Sequence, residues 1–181
     1  MSNTYVAIMA GGIGSRFWPE SRTAKPKQFL DILNTGKTLI QMTYERFLKI
    51  VPAENIYVVT SDSYEKLVKE QLPALTNSQI LKEPMRRNTA PCITYVCDKI
   101  YTKDKDATII VAASDHLILE EQKFLAVVAK CVEFVKDNSY LVTIGIKPTK
   151  PATGYGYIQF QDENANGEFF RVKTFTEKPA I

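Results

Sequence analysis

Short apolar runs of strand length alternate along the chain with segments whose apolar residues recur at helical spacing, the pattern of an α/β domain with a mainly parallel sheet. The first strand is expected at Tyr5 to Met9. A long basic loop containing proline follows, and periodicity resumes only near Thr38, where Ile40, Tyr44, Phe47, Leu48 and Val51 share one helical face. Thr38 suits an N-cap, and Pro52 ends the segment. Strands are expected at Ile56 to Thr60 and Gln79 to Lys82, with a helix at Ser63 to Leu72 between them. A loop from Glu83 to Thr89 leads into a helix from Ala90 to Tyr101. Thr108 to Ala112 is unbroken apolar and β-branched sequence, as expected of a strand buried on both faces at the sheet centre. The next helix carries Phe124, Val127, Val128, Cys131, Phe134 and Val135 on one face, and a strand is expected at Tyr140 to Ile146. After Pro151, glycines and aromatics precede two alternating segments around Asn164 to Gly167, which reads as a hairpin added beside the parallel sheet.

With 181 residues and 45% apolar composition, the chain has the size of one domain with a single core. The net charge of +3 is modest, and Lys and Arg are scattered rather than gathered in runs, which argues against a nucleic-acid tail. Charge is nevertheless uneven. Residues 1 to 50 carry Arg16, Arg22, Lys25, Lys27, Lys37, Arg46 and Lys49 against Glu20, Asp31 and Glu45, so the front end is suited to an anion. Cys92, Cys97 and Cys131 lack CxxC spacing and sit in apolar or helical stretches, as reduced core residues do. No apolar run approaches about 18 residues and no leader-like start is present, so a soluble, cytoplasmic protein without a membrane partner is expected.

The loop after the first strand, Ala10-Gly11-Gly12-Ile13-Gly14-Ser15-Arg16, lies where open α/β sheets bind ligands, and its glycines let backbone amides approach phosphate oxygens. It is not a Walker A loop, because no Gly-Lys-Ser/Thr follows. It is not a dinucleotide fingerprint either, since Phe17 stands where a third glycine is needed. Arg16, followed by Lys27 in Pro26-Lys27-Gln28-Phe29, suits a polyphosphate; an ordinary glycine turn with solvated cations is the plain alternative. Asp115, in Ser114-Asp115-His116 after the Thr108 strand, can hold Mg²⁺ or simply cap the next segment. His116 is the single histidine and reads as structural.

Gly-Gly-x-Gly-x-Arg-x-x-Pro with a downstream Pro-Lys-Gln resembles the signature of the sugar nucleotidyltransferases. Trp18-Pro19-x-Ser21-Arg22 and Gln28-Phe29-Leu30 narrow the resemblance to the mannose-1-phosphate guanylyltransferases. Further matches run in the family's order through Glu83-Pro84-x-x-Arg87-Asn88-Thr89-Ala90-Pro91, Ser114-Asp115-His116, Pro151-x-Thr153-Gly154-Tyr155-Gly156-Tyr157-Ile158 and Glu177-Lys178-Pro179. The resemblance implies a three-layer α/β/α, Rossmann-like (GT-A-like) domain over residues 1–181. It is expected to be cut short at its C-terminus, before a second metal-binding Asp and a small β-rich part that supports homo-oligomer assembly.

By that resemblance, Ala10, Gly11, Gly12, Gly14, Ser15, Arg16 and Lys27 hold the nucleotide phosphates. Glu83, Pro84, Arg87, Asn88, Thr89 and Ala90 complete the nucleotide site, Asn88 meeting the base or capping its helix. Asp115 holds Mg²⁺, Thr153, Gly154, Tyr155 and Gly156 hold mannose, Glu177 bonds sugar hydroxyls and Lys178 aligns the sugar phosphate. A glycine-rich hairpin entry packed by tyrosines is the structural alternative for residues 153–157.

The implied reaction transfers GMP from GTP to mannose 1-phosphate and releases pyrophosphate. Arg16, Lys27 and Lys178 would act by charge neutralisation and positioning, since an anionic nucleophile needs no base. Two other readings remain. One is a sister enzyme using UTP, dTTP or ATP, against which Arg87-Asn88-Thr89-Ala90-Pro91 argues; the other is a nucleotide-binding piece with little or no turnover.

Overall fold

A computed structural model describes residues 3–13, 17–85, 87–166 and 168–176, with side chains of 162–166 left aside. The chain divides into two compact units, Met1–Tyr140 and Leu141–Ile181.

In the first unit, β1 (Thr4–Met9), β2 (Ile56–Thr60), β3 (Ile80–Lys82) and β4 (Thr108–Ala113) form one parallel sheet in the order β3-β2-β1-β4. The helices are α1 (Leu39–Leu48), α2 (Glu65–Gln71), α3 (Thr89–Lys103) and α4 (Glu121–Lys136). Because successive strand residues point to opposite faces, β1 feeds two cores. Val6 and Ile8 pack with Ile40, Phe47, Val68, Val128 and Val132 from α1, α2 and α4. Tyr5 and Ala7 pack with Cys92, Val96 and Ile100 from α3. The three-layer α/β/α arrangement read from the sequence is therefore present in this unit.

Local chemistry explains where α1 begins. Thr38 is extended at the N-cap, and Thr38 and Gln41 close a capping box. Across the α1 to α4 contact, the Arg46 guanidinium is only 2% exposed and its Nε lies 3.3 Å from Glu121 Oε2, without hydrogen-bond alignment. Burial lowers the affinity of Arg46 for its proton, and the Glu121 charge opposes that shift. Glu121 is held below its ordinary value, first by a hydrogen bond from Lys49 and then by the Lys49 and Arg46 charges.

Four expectations change. Thr108–Ala113 lies at the edge of the described sheet, half-buried throughout, rather than at its centre. An apolar β-branched run records how much burial a strand suits, not which neighbours it finds. Tyr140 to Ile146 has no strand pairing, and Leu141 and Ile146 are exposed; strand propensity without a partner leaves the backbone irregular. On α4 the buried stripe is Leu125, Val128 and Val132 with Phe124 beside it, while Val127 is exposed. Leu48, assigned to the inner face of α1, is also exposed.

In the second unit, β5 (Tyr157–Asn166) and β6 (Phe169–Thr176) form the expected antiparallel hairpin as a two-stranded sheet of its own. Among the described residues, no helix is long and apolar enough to cross a membrane.

Candidate nucleotide site

A parallel sheet sends every strand out at the same end, so the segments after β1, β2, β3 and β4 leave together. Three of them are tied down by one further backbone bond beyond the strand. Ala10 N–H donates to Val59 O (2.7 Å), Glu83 N–H to Thr60 O (2.9 Å) and Ser114 N–H to Met9 O (3.1 Å). The loop carbonyls are also held from the side. Gln28 Nε2 donates to Ala10 O (3.0 Å) and Gly12 O (2.8 Å), and Thr60 Oγ1 donates to Ala10 O (3.1 Å).

Gln28 is buried, as is Phe29 beside it in the short 3-10 turn Lys27–Phe29. This leaves Lys27, whose Nζ lies 2.8 Å from Asp115 Oδ2, each side chain about 30% exposed (30% and 29%). The two charged residues singled out in distant parts of the sequence thus converge beside the glycine loop. Asp115 has its backbone fixed one residue upstream, where Thr43 Oγ1 donates to Ser114 O at 3.3 Å.

Gly11 brings the loop close to Glu83: a Cβ there would stand 2.9 Å from Glu83 Oε2, so a larger residue would make that carboxylate turn aside. The Glu83 carboxylate therefore lies against the loop, with the buried Cys92 thiol near it. Burial first, and then the Glu83 charge and hydrogen bond, push Cys92 up to about 12. The three cysteines are free thiols, Cys92 buried and Cys97 and Cys131 partly so, as the sequence suggested.

At the start of α3, Arg87, Asn88, Thr89 and Ala90 are exposed, leaving the first backbone N–H groups of the helix open to a ligand. Asn88 makes no side-chain capping bond, so the capping alternative does not hold. Its backbone at φ 66°, ψ −169° lies in a region that only glycine enters freely, which strains a residue with a Cβ by about 1–3 kcal/mol. Asn88→Gly is accordingly expected to raise the melting temperature by roughly 2–4 °C, the equivalent of about 1 kcal/mol in a domain this size. A lowered melting temperature in a thermal scan would show instead that the Asn88 side chain holds the turn.

Thr153, Gly154, Tyr155 and Gly156 belong to the second unit, at the entry to β5, and all four are exposed. Tyr157 Oη accepts from Ala152 N–H (2.8 Å) and donates to Ala152 O (2.9 Å), so the turn is packed by its own tyrosine. Gly156 faces the Thr176 carbonyl, 3.2 Å from where a Cβ would stand. His116 is exposed. Gly14, Ser15, Arg16, Glu177 and Lys178 lie outside the described residues.

Sequence reading missed two side chains that shape the site, Gln28 and Thr60. For Gln28 the available signal is its place in Pro26-Lys27-Gln28-Phe29, between a loop cation and an aromatic. Thr60, closing a strand of otherwise apolar residues, gave the weaker signal of a polar residue in a core position.

Comparison with known proteins bears on this arrangement. The model of the nucleotidyl transferase family matches residues 5–181. The chain is 41% identical over 183 residues to a mannose-1-phosphate guanylyltransferase of Salmonella muenchen, which covers 99% of this chain and 38% of the relative. It is 39% identical over 187 residues to the mannose-1-phosphate guanylyltransferase of Escherichia coli K12, with the same coverage of 99% and 38%. The chain thus spans well under half the length of these relatives. Among solved structures, it superimposes with a TM-score of 0.86 and 31% identity on a Thermus thermophilus protein described as a mannose-1-phosphate geranyltransferase, covering 98% of this chain and 51% of that one. A Helicobacter pylori protein described as a mannose-6-phosphate isomerase superimposes with a TM-score of 0.75 and 26% identity, covering 99% and 62%. With the matched region running from β1 through the hairpin, and the glycine loop, Lys27 and Asp115 meeting at one sheet end, the chain belongs to the nucleotidyl transferase family.

Proposed function

We propose that this chain provides the nucleotide-binding portion of a mannose-1-phosphate guanylyltransferase, which transfers GMP from GTP to mannose 1-phosphate. The observation that carries the proposal is the convergence of Lys27 and Asp115, 2.8 Å apart, beside a glycine loop pinned by Gln28. A phosphate oxygen of mannose 1-phosphate attacks the α-phosphorus of GTP. The new P–O bond forms as the bond from the α-phosphorus to the bridging oxygen breaks, and that electron pair leaves with pyrophosphate. The nucleophile is already anionic, so the protein's task is alignment and charge neutralisation. Lys27 offsets phosphate charge, the open amides of Gly11 and Gly12 face the triphosphate, and Arg16 and Lys178 are assigned the remaining phosphate contacts. Guanine presents N–H donors at N1 and N2, which suit the Glu83 carboxylate and the Asn88 amide. The loop Thr153–Gly156 and Glu177 are assigned to the mannose ring.

Magnesium is the metal this reaction class calls for. Among the described residues, no group of three or more His, Cys, Asp or Glu forms a ready-made metal site. A single carboxylate with one side open suits an ion that arrives with phosphate oxygens and waters, because Mg²⁺ keeps much of its hydration. Asp115 would hold it there, where it supplies further charge neutralisation.

Calorimetric titration with GTP, UTP, dTTP and ATP in Mg²⁺, followed by a pyrophosphate-release assay with mannose 1-phosphate, tests the proposal. GTP is expected to bind at least about tenfold more tightly than the others, since one satisfied or unsatisfied polar contact is worth about 1–3 kcal/mol. Preference for UTP or dTTP would sink the guanylyl assignment. A second reading, nucleotide binding with little or no turnover, is separated from the first by the release assay.

A further inference from the structure

We propose that Lys27 is a tethered cation that occupies the metal's place on Asp115 when no nucleotide is bound, so that the site admits a divalent ion only with or after the triphosphate. This inference rests on the reading of Asp115 as the metal ligand. The Lys27 ammonium contacts Asp115 Oδ2 at 2.8 Å, so an incoming cation would compete with it for the carboxylate. The backbone on both sides is fixed. Gln28 is locked to the carbonyls of Ala10 and Gly12, Phe29 is fully buried, and Ser114 is bonded through its N–H and its carbonyl. The four-carbon stem of Lys27 is left to move, and such a stem carries a compact, freely rotating charge.

A bare divalent ion therefore meets a carboxylate already neutralised and a positive charge that repels it. A triphosphate carries several negative charges and draws the ammonium away, which frees Asp115 at the moment the metal's other oxygen ligands arrive. Lys27 in this account serves twice, first as a placeholder on the protein and then as a counter-charge on the ligand. The exchange needs no backbone movement.

The free Mn²⁺ signal in electron paramagnetic resonance measures the test directly, without turnover. In the absence of nucleotide, Lys27→Met is expected to bind Mn²⁺ at least about fivefold more tightly than the unaltered chain, the equivalent of a partly exposed ion pair removed. Lys27→Met combined with Asp115→Asn should lose that gain, and Lys27→Arg, which keeps the charge, should bind as the unaltered chain does. Mn²⁺ affinity of Lys27→Met within about twofold of the unaltered chain, or an equal gain in Lys27→Arg, overturns the proposal. The underlying reading has its own arm: with saturating GTP present, Asp115→Asn should weaken Mn²⁺ binding. If Asp115→Asn has no effect there, Asp115 is not the ligand and both readings fall. If it does weaken binding while Lys27→Met gains nothing without nucleotide, only the placeholder role falls.

Discussion

Gln28→Leu is expected to weaken GTP binding by about tenfold while lowering stability by only about 1–2 kcal/mol, as read by calorimetry and by urea unfolding. Leu fills nearly the same volume, so the buried position stays filled. What disappears is the amide that donates to Ala10 O at 3.0 Å and Gly12 O at 2.8 Å. The two carbonyls are not equally exposed to the loss. Ala10 O keeps its bond from Thr60 Oγ1, whereas the only bond described to Gly12 O is the one from Gln28. The cost to folding is therefore near that of one unsatisfied group. The cost to binding is comparable, because Gly12 is then free to turn and its amide must be ordered again when the phosphates arrive. If the affinity for GTP stayed within about twofold while stability fell, Gln28 would be a structural clamp and no more.

Glu121→Gln should lower stability by about 2–3 kcal/mol, which is roughly 4–12 °C in melting temperature. The Arg46 guanidinium is 2% exposed, and Glu121 is the acidic partner that compensates its burial. Removing a partner from a buried charge is costly, and the 28% exposure of Glu121 keeps the figure below that of a fully buried pair. Lys49→Gln is the control: its ammonium is 60% exposed, so its loss should cost under about 1 kcal/mol. The pH dependence has a definite sign. Glu121 is held below its ordinary value in the folded chain, so its stabilisation is present in full above the unfolded carboxyl value of about 4.3 and is lost as pH falls through the folded value. The gap between the unaltered chain and Glu121→Gln should therefore narrow below about pH 4. A gap that is constant from about pH 3 to 7 would show that shape, not charge, is at stake.

How far these features can be read from sequence depends on whether they are local. Thr38 and Gln41 cap α1 with groups three residues apart, and the strands β1 and β2 declare themselves by unbroken apolar runs. The glycine loop and Asp115 were legible because position after a strand already implies the ligand end of a parallel sheet. Partnership was not legible. Thr108–Ala113 has the composition of a central strand and lies at an edge, and Tyr140 to Ile146 has strand chemistry without a ladder. Arg46 belongs to the same class: in one dimension it is a polar residue next to Phe47, and only the approach of α4 brings Glu121 against it. The clamp made by Gln28 and the backbone of Asn88 were hidden for a further reason, since a donor direction and a positive φ are properties of the folded backbone that residue type does not encode.

The bonds that continue the ladder past the strand ends, from Ala10, Glu83 and Ser114, have a kinetic meaning. They make the floor of the site part of the same cooperative opening unit as the sheet, so it comes apart only when the strand ends fray. Fast, small-amplitude adjustment to a ligand is thereby left to what lies beyond those anchors and the Gln28 bonds, chiefly the Lys27 stem and the head of α3. The slow clock of the sheet and the quick one of the groups beyond it therefore run side by side in one site.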